Sequence, residues 1–147
     1  MKAADQFHIG IVVDDFEGTL ARLTGLFGYA WGPEFSGPTP VVLPTGPATP
    51  SLRFAYSTTA PRIEVIRSVP GQPLWQPADS GVHHLGFWSD DVVSDSATLA
   101  AQGYAPEVRG VRPDGAPYWA YHRPANGPRI ELVSRALEPS MGQLWSA

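Results

Sequence analysis

The sequence predicts an α+β fold in which two tandem βαβββ modules form one curved mixed sheet around a single cavity. The main observation is an internal repeat, which is the sequence signature of a duplicated architecture. Each copy begins with a histidine-containing apolar segment followed by two aspartates, and each copy ends with the same Pro-Arg-Ile-Glu sequence. In chain order, the matching segments are His8–Asp15 with His84–Asp91, Gly28–Ala30 with Gly103–Ala105, and Pro61–Glu64 with Pro128–Glu131.

The first elements of each copy are a strand and a helix. Residues 7–13 and 83–88 are short, apolar and partly β-branched or aromatic, which is typical of strands. The aspartate pairs that follow them supply side chains that cap helix N-termini, so a helix of about ten residues is expected after each pair. Gly28 and Gly103 then stand where each helix should end, since glycine readily adopts the left-handed backbone of a helix terminus.

The later elements of each copy are strands joined by loops. The segments that read as strands are 52–56, 62–67, 118–122 and 129–134. Nine of the nineteen residues from Gly32 to Pro50 are Gly or Pro, which predicts a long loop there. A second such segment, Pro106 to Pro117, lies at the corresponding place in the other copy, and loops of this length in compact domains are often lids or binding loops.

The length of 147 residues predicts one domain with a core large enough to need no disulfide. The first module is expected at about residues 5–70 and the second at about residues 80–136. Residues 137–147 lie beyond the repeat and are expected to form a C-terminal tail.

The composition restricts the classes of partner and site. The chain has no cysteine, so any metal must be held by nitrogen and oxygen ligands. Its net charge of −4 comes without a long charged block, which argues against nucleic acid as a partner. No apolar run approaches the eighteen or so residues of a membrane-spanning helix, and the N-terminus lacks the features of a secretory signal. A cytoplasmic protein with no membrane partner is therefore expected.

Four polar residues of the repeat are predicted to hold one divalent metal ion. Side chains alternate across a strand, so His8 shares a face with Gly10 while the apolar residues between them face the helix. The same alternation turns the corresponding polar residues of the other strands away from the helices. If approximate two-fold symmetry relates the copies, the ligands that meet are His8, Glu64, His84 and Glu131. Gly10 and Gly86, which lack side chains, would leave space beside them.

Each of these four residues taken alone has an ordinary alternative, a solvent-facing position on a strand. The metal interpretation depends on the matching placement in both copies, with one histidine on each first strand and one glutamate on each last strand. Imidazole and carboxylate together suit cobalt, nickel, manganese, zinc or ferrous iron.

Further residues are candidates for the wall of a substrate cavity or for contact with substrate. The aromatic candidates are Trp88, Tyr56, Trp119 and Tyr121. Plain core positions are an equal alternative for them, because the alternation of strands 52–56 and 118–122 is not fixed by the sequence. His122, at a strand end, is a candidate for substrate contact, whereas His83 is expected to face the helix side as a partly buried or capping histidine.

These residues resemble the vicinal oxygen chelate superfamily, which includes glyoxalase I, methylmalonyl-CoA epimerase, extradiol dioxygenases and the bleomycin-resistance proteins. The likeness covers almost the whole chain. The segments most similar to the methylmalonyl-CoA epimerase branch are Glu64–Arg67, Gly71–Trp75 and Gly81–Trp88. The resemblance implies that the second histidine of the pair His83–His84 is the metal ligand, in agreement with the repeat.

The resemblance also implies metal ligands at Glu64 and Glu131, although the epimerases often have glutamine at the former position. Two histidines and two glutamates also resemble the ligand set of bacterial glyoxalase I. The implied activity is that of an epimerase or glyoxalase-like lyase, which chelates vicinal oxygens of a small carbonyl substrate and abstracts a proton next to the carbonyl. Either Glu131 or Glu64 is expected to shuttle that proton.

Two other functions are alternatives within the same superfamily. One is a non-catalytic protein that binds a drug or antibiotic, and such relatives lack the metal set. The other is an Fe(II) dioxygenase, which generally has two histidines and one glutamate as ligands. A homodimer is a further expectation from the resemblance.

Overall fold

The computed structural model describes residues 1–146, so Ala147, the last residue of the predicted tail, lies outside the described residues. The elements of the first half are β1 (Gln6–Val13), α1 (Phe16–Phe27), β2 (Phe35–Pro38), β3 (Val41–Leu43), β4 (Gly46–Ala48), β5 (Ser51–Tyr56) and β6 (Arg62–Arg67). Those of the second half are β7 (His84–Ser89), α2 (Val92–Ala101), β8 (Ala105–Val111), β9 (Pro117–Arg123) and β10 (Arg129–Ser134). A short helix, α3 (Glu138–Met141), follows them. Within residues 1–146, every helix is too short or too polar to cross a membrane.

All ten strands form one mixed sheet, in the order β2-β5-β6-β1-β7-β10-β9-β8-β3-β4. The two halves meet at the centre through their first strands, because β1 pairs antiparallel with β7. In each half the first strand pairs in parallel with the last, β1 with β6 and β7 with β10. The sheet curls into a half-barrel, so the predicted α+β fold with a curved mixed sheet is confirmed.

The two long helices begin at the aspartates that the sequence indicates. The side chain of Asp15 accepts a hydrogen bond from the backbone N–H of Gly18, and that of Asp91 accepts one from Ser94. Such caps satisfy backbone donors that the first turn of a helix leaves unpaired. Gly28 follows α1 with a φ of 74°, and Gly103 follows α2 by two residues with a φ of 86°.

The helices cover the outer face of the sheet. Phe16 at the start of α1 packs against Ala55 and Val65 of the sheet, and all three are buried. A matching cluster joins Val92 of α2 to Ala120 and Leu132. Since alternate residues of a strand point to opposite faces, the residues between these positions point to the inner face.

The proline-rich segment 32–50 is not the long loop predicted from its composition. It contains β2, β3 and β4, which are three or four residues long. Two of these strands are the edges of the sheet, where proline is tolerated because a missing N–H breaks no ladder hydrogen bond. The prediction of a loop at residues 106–117 is also wrong for most of these residues. β8 occupies the first part of the segment, and only a turn remains before β9.

The segment between β2 and β3 links the two edges of the sheet. β2 pairs with β5 of its own half, whereas β3 pairs with β8 of the other half. The backbone N–H of Val111 donates a hydrogen bond of 3.3 Å to the carbonyl oxygen of Pro40 within this link. A hairpin from the first half of the chain therefore completes the sheet of the second half.

The C-terminal segment, residues 135–145, lies across the inner face of the sheet. Arg135 anchors its start through ion pairs of 2.6 Å with Asp5 and with Asp90. Trp145 near its end packs against Tyr56, with ring centroids 5.6 Å apart. The inner face is thus closed by the chain's own last residues.

Candidate metal centre

The four residues predicted as metal ligands come together at the centre of the sheet. Each is on a different strand, and these strands are adjacent in the order β6, β1, β7 and β10. The residues, in that order, are Glu64, His8, His84 and Glu131, and all four are buried. One ligand atom from each lies within 4.8 Å of the corresponding atom of every other.

The separations between these atoms fit the ligand set of one ion. Nε2 of His8 lies 2.9 Å from Nε2 of His84, 2.9 Å from Oε2 of Glu131 and 3.3 Å from Oε2 of Glu64. Nε2 of His84 lies 3.1 Å from Oε2 of Glu64 and 3.2 Å from Oε2 of Glu131. Neighbouring ligands that are each about 2.1 Å from a divalent ion lie about 3.0 Å apart at right angles and about 3.4 Å apart at a tetrahedral angle. A divalent ion is therefore compatible with all five separations.

The electrostatics of the cluster also favour a cation between the side chains. Burial lowers the pKa of His8, but hydrogen bonds and charge from Glu131 and Glu64 outweigh it and raise the pKa to about 9. Burial raises the pKa of each glutamate, yet the two histidines hold the pKa of Glu64 and that of Glu131 below the usual range. The buried carboxylates thus stay ionised and need positive partners, which are either protons on the imidazoles or a metal ion.

Two glycines make room for the imidazoles. In the β1–β7 ladder His8 stands opposite Gly86, and His84 stands opposite Gly10. A Cβ atom added to Gly86 would overlap the His8 ring, and one added to Gly10 would overlap the His84 ring. The space that the sequence predicted beside the ligands is thus occupied by the histidine of the opposite strand.

A second histidine fixes which nitrogen of His84 faces the cluster. Nε2 of His83 lies 2.7 Å from the carbonyl oxygen of Leu74, which only accepts, so this nitrogen carries the hydrogen. Burial lowers the pKa of His83 to about 3, so its Nδ1 keeps a lone pair. Nδ1 of His84 lies 3.0 Å from that atom and therefore donates to it. The lone pair of His84 Nε2 is then directed at the other ligands.

The position of His83 differs from the predicted one. Its ring lies against His84 and Tyr121, with centroids 5.3 Å and 5.5 Å away, and the helical residues that it contacts are those of the short 3-10 turn Pro73–Trp75, through Leu74. His8 has no comparable partner, because its Nδ1 is buried without a hydrogen bond to any residue from 1 to 146. The two imidazoles are therefore held differently despite their symmetric placement.

A cavity of about 410 Å³ adjoins the two glutamates on the inner face, and Tyr56, Trp119 and Tyr121 are among its lining residues. Tyr56 stands opposite Glu64 across the β5–β6 ladder, and Tyr121 stands opposite Glu131 across the β9–β10 ladder. Burial raises the pKa of each phenol well above its usual range, and the glutamate charges add to this. Both hydroxyls are thus protonated donors beside the carboxylates.

The other two cavity candidates lie elsewhere. Trp88 stacks on Phe7 with ring centroids 3.8 Å apart and lines a separate space, of about 850 Å³, beside His8. His122 does not line the cavity beside the glutamates, and its contact with a substrate stays a prediction. Because alternation turns its neighbour Tyr121 inward, His122 points to the outer face, where it lines a pocket together with residues of α2.

Two features of the cavity were not predicted from the sequence. The triplet Phe54-Ala55-Tyr56 recurs as Trp119-Ala120-Tyr121, an aromatic-Ala-Tyr repeat that would have fixed which face the two tyrosines occupy. Leu137, Met141 and Leu144 of the C-terminal segment also line the cavity. No counterpart of these three residues exists in the repeat, so no comparable signal pointed to them.

The chain was compared with protein-family profiles, curated protein sequences and solved structures. The sequence profile of the glyoxalase/bleomycin resistance protein/dioxygenase superfamily matches residues 7–122. No curated protein sequence shows significant similarity to the chain. A variant of the methylmalonyl-CoA epimerase of Streptomyces coelicolor, in complex with 2-nitronate-propionyl-CoA, is similar in structure with a TM-score of 0.61. It is 19% identical, and the match covers 90% of this chain and 97% of the epimerase chain.

Two further solved structures are similar at lower scores. The methylmalonyl-CoA epimerase of Mycobacterium tuberculosis has a TM-score of 0.55 at 17% identity, covering 95% of this chain and 96% of its own. The 2,2',3-trihydroxybiphenyl 1,2-dioxygenase of Sphingomonas wittichii has a TM-score of 0.50 at 16% identity, covering 90% of this chain and 44% of its own. At such identities the structural likeness reports the fold. The profile match over most of its length shows that the chain belongs to the glyoxalase/bleomycin resistance protein/dioxygenase superfamily, the vicinal oxygen chelate superfamily that its internal repeat resembles.

Proposed function

We propose that the protein is a metal-dependent isomerase or lyase that removes a proton next to the carbonyl group of a small substrate. The observation that carries the proposal is the buried cluster of two imidazoles and two carboxylates beside a cavity. His8, Glu64, His84 and Glu131 would hold one ion of cobalt, nickel, manganese, zinc or ferrous iron. Such an ion, when bound, polarises a carbonyl oxygen and stabilises the negative charge that develops there.

Glu131 is the first candidate for the group that moves the proton. Its Oε2 is buried and lies 2.9 Å from Nε2 of His8, and the residue lines the cavity. Burial raises the pKa of Glu131, but the charge of His84 and the hydrogen bonds with the two histidines outweigh burial and lower it. The carboxylate is therefore ionised at neutral pH and able to accept a proton. Glu64 is the second candidate, since it borders the same cavity.

The place to which the proton returns decides the reaction. Return to the opposite face of the same carbon gives epimerisation, and return to the adjacent carbon gives isomerisation of the glyoxalase kind. The protonated hydroxyls of Tyr56 and Tyr121 are placed to donate hydrogen bonds to substrate oxygens beside the two carboxylates. A general base in hydrogen-bond reach and fixed donors are the groups that such a reaction requires.

Metal content tests the proposal directly. Mass spectrometry of protein purified without a chelating column is expected to find about one equivalent of metal in the wild type and a large loss in His84→Ala. His122→Ala is the matched control, because His122 is equally buried but lies on the opposite face of the sheet. A wild type that is free of metal and also refuses added cobalt, nickel and zinc would favour a metal-free binding protein instead. Proton exchange from 2-substituted thioesters and 2-oxoaldehydes then tests the activity.

His83 is proposed as a positioning residue for His84. His83→Phe keeps a ring but removes the acceptor for His84 Nδ1, so affinity for Zn²⁺ is expected to fall about 10-fold to 100-fold. His83→Gln restores an acceptor and is expected to recover part of the affinity. Competition with a chromophoric chelator measures the affinity, and the visible spectrum of bound Co²⁺ reports the ligand geometry. Wild-type affinity and an unchanged spectrum in His83→Phe would contradict this role.

A further inference from the structure

We infer that the cavity takes a compact, uncharged ring compound with two neighbouring oxygens, such as an α-hydroxyketone, and not a phosphate-bearing thioester. The inference rests on the proposed function in one respect, which is that the two glutamates mark the reacting end of the cavity. It goes further by naming the substrate class. The solved epimerases resemble the chain in fold only, so their ligands do not indicate the ligand of this protein.

The lining of the cavity is the first observation. Among its described lining residues there is neither lysine nor arginine, and the only ionised side chains are Glu64 and Glu131. A phosphate inside it would meet no lysine or arginine, and the two carboxylates already balance the charge of a divalent ion in the metal centre. Burying a charge without a partner of opposite charge is strongly unfavourable. The lining therefore disfavours anionic ligands.

The charge of the metal centre also favours an uncharged ligand. Two neutral imidazoles and two carboxylates carry a charge of −2, which one divalent ion would neutralise. The reacting end of the cavity would then be neutral overall. A neutral ligand that becomes a monoanion on losing its proton matches such a site better than a polyanion does.

Two aromatic walls favour a ring. Phe35 and Phe54 are stacked on one side of the cavity, with ring centroids 4.9 Å apart. On the other side Trp119 and Tyr121 lie with ring centroids 5.2 Å apart. Aromatic side chains bind rings by stacked or edge-to-face contacts. A ring is therefore expected to bind against these aromatic side chains, in the cavity that the two glutamates also line.

The C-terminal segment limits the length of the ligand. Leu137, Met141 and Leu144 line the cavity, so the chain's own apolar side chains occupy the side that a long substituent would need. The volume of about 410 Å³ is near the lower end of the range of about 300–1,000 Å³ found for small-molecule sites. A compact molecule fits such a space, whereas the nucleotide and pantetheine parts of a CoA thioester exceed it.

Benzoin, an uncharged α-hydroxyketone with two phenyl rings, is a suitable probe, and methylmalonyl-CoA is the anionic comparison. Both are titrated into Zn²⁺-loaded protein while tryptophan fluorescence and calorimetric heat are recorded. Benzoin is expected to bind at least tenfold more tightly than the thioester, with little change at high salt. Tighter binding of the thioester, or no binding of benzoin, would overturn the inference.

Two variants locate the binding. Phe54→Leu keeps an apolar side chain in the wall but removes the stacked ring. It is expected to lower the affinity for benzoin about threefold to tenfold. Phe27→Leu is the matched control, since Phe27 is exposed on α1, and no change is expected. Equal effects of the two phenylalanine variants would contradict the assigned wall.

Deuterium exchange separates this inference from the proposed function. Benzoin that binds but exchanges no α-proton with D₂O would support the substrate class and contradict the proposed proton abstraction. Exchange with the CoA thioester alone would support the proton abstraction and overturn the substrate class.

Discussion

Glu131→Gln is expected to lower the rate of proton exchange about 10²-fold to 10⁴-fold, which is the usual contribution of a positioned general base. The amide keeps the shape of the side chain and one oxygen toward the cluster, but it cannot accept a proton at neutral pH. Because Glu131 is buried in a strand at the sheet centre, an isosteric change should leave the fold intact. The measurement is deuterium incorporation next to the substrate carbonyl, with circular dichroism and metal content recorded on the same samples.

Two further variants sharpen this result. Glu34→Gln is the matched control, because Glu34 is exposed and pairs with Arg53 away from the cluster, so full activity is expected. Glu64→Gln distinguishes the two candidate bases. A fully active Glu131→Gln combined with an inactive Glu64→Gln would assign the proton transfer to Glu64, and full activity of both variants would exclude either carboxylate as the base.

Gly86→Ala is expected to lower metal affinity more than about 100-fold, since the loss of a ligand costs more than the loss of an outer partner. A Cβ atom at this position overlaps the ring of His8 across the β1–β7 ladder. The ring is at the end of its side chain but buried among Phe7, Tyr56 and His84, so the added Cβ is expected to displace it from the cluster before it displaces the backbone. The variant should therefore fold but lack one of its four ligands. Titration with Zn²⁺ against a competing chelator measures the affinity.

Gly37→Ala provides the comparison for this prediction. Gly37 is also in a strand, and an added Cβ would meet only ordinary contact, 3.9 Å from the Phe35 ring. Its metal affinity is expected to equal that of the wild type. If Gly86→Ala also kept wild-type affinity, His8 would not be needed as a ligand. If the variant failed to fold, Gly86 would serve backbone packing more than ligand placement.

The sequence was sufficient to predict the central strands and the four clustered side chains. Both depend on local patterns: the repeat places His8 and His84 at equivalent positions, and strand alternation turns them to one face. The glutamates follow by the same logic from the repeated Pro-Arg-Ile-Glu segment. Each of these features depends on the order of neighbouring residues, which is why it can be read without the structure.

The parts that the sequence did not predict depend on long-range packing. The strands β3 and β4 lie within a segment rich in proline and glycine, and β3 pairs with β8, about seventy residues away in the chain, while β4 pairs with β3. The face that His122 occupies could not be predicted, because the sequence leaves the alternation of this strand open and a shift of one residue moves a side chain to the opposite face. The C-terminal wall of the cavity lies outside the repeat, so no internal comparison applied to Leu137, Met141 or Leu144.

The hairpin of β3 and β4 has a consequence for how the molecule folds. Although the two halves have matching strand orders, a fragment ending before β7 would hold this hairpin without the strand that it pairs with. The same fragment would expose the edge of β1, which in the whole chain pairs with β7. The halves therefore depend on each other for completed strands as well as for ligands, and unfolding should be one cooperative transition without a stable half-molecule intermediate.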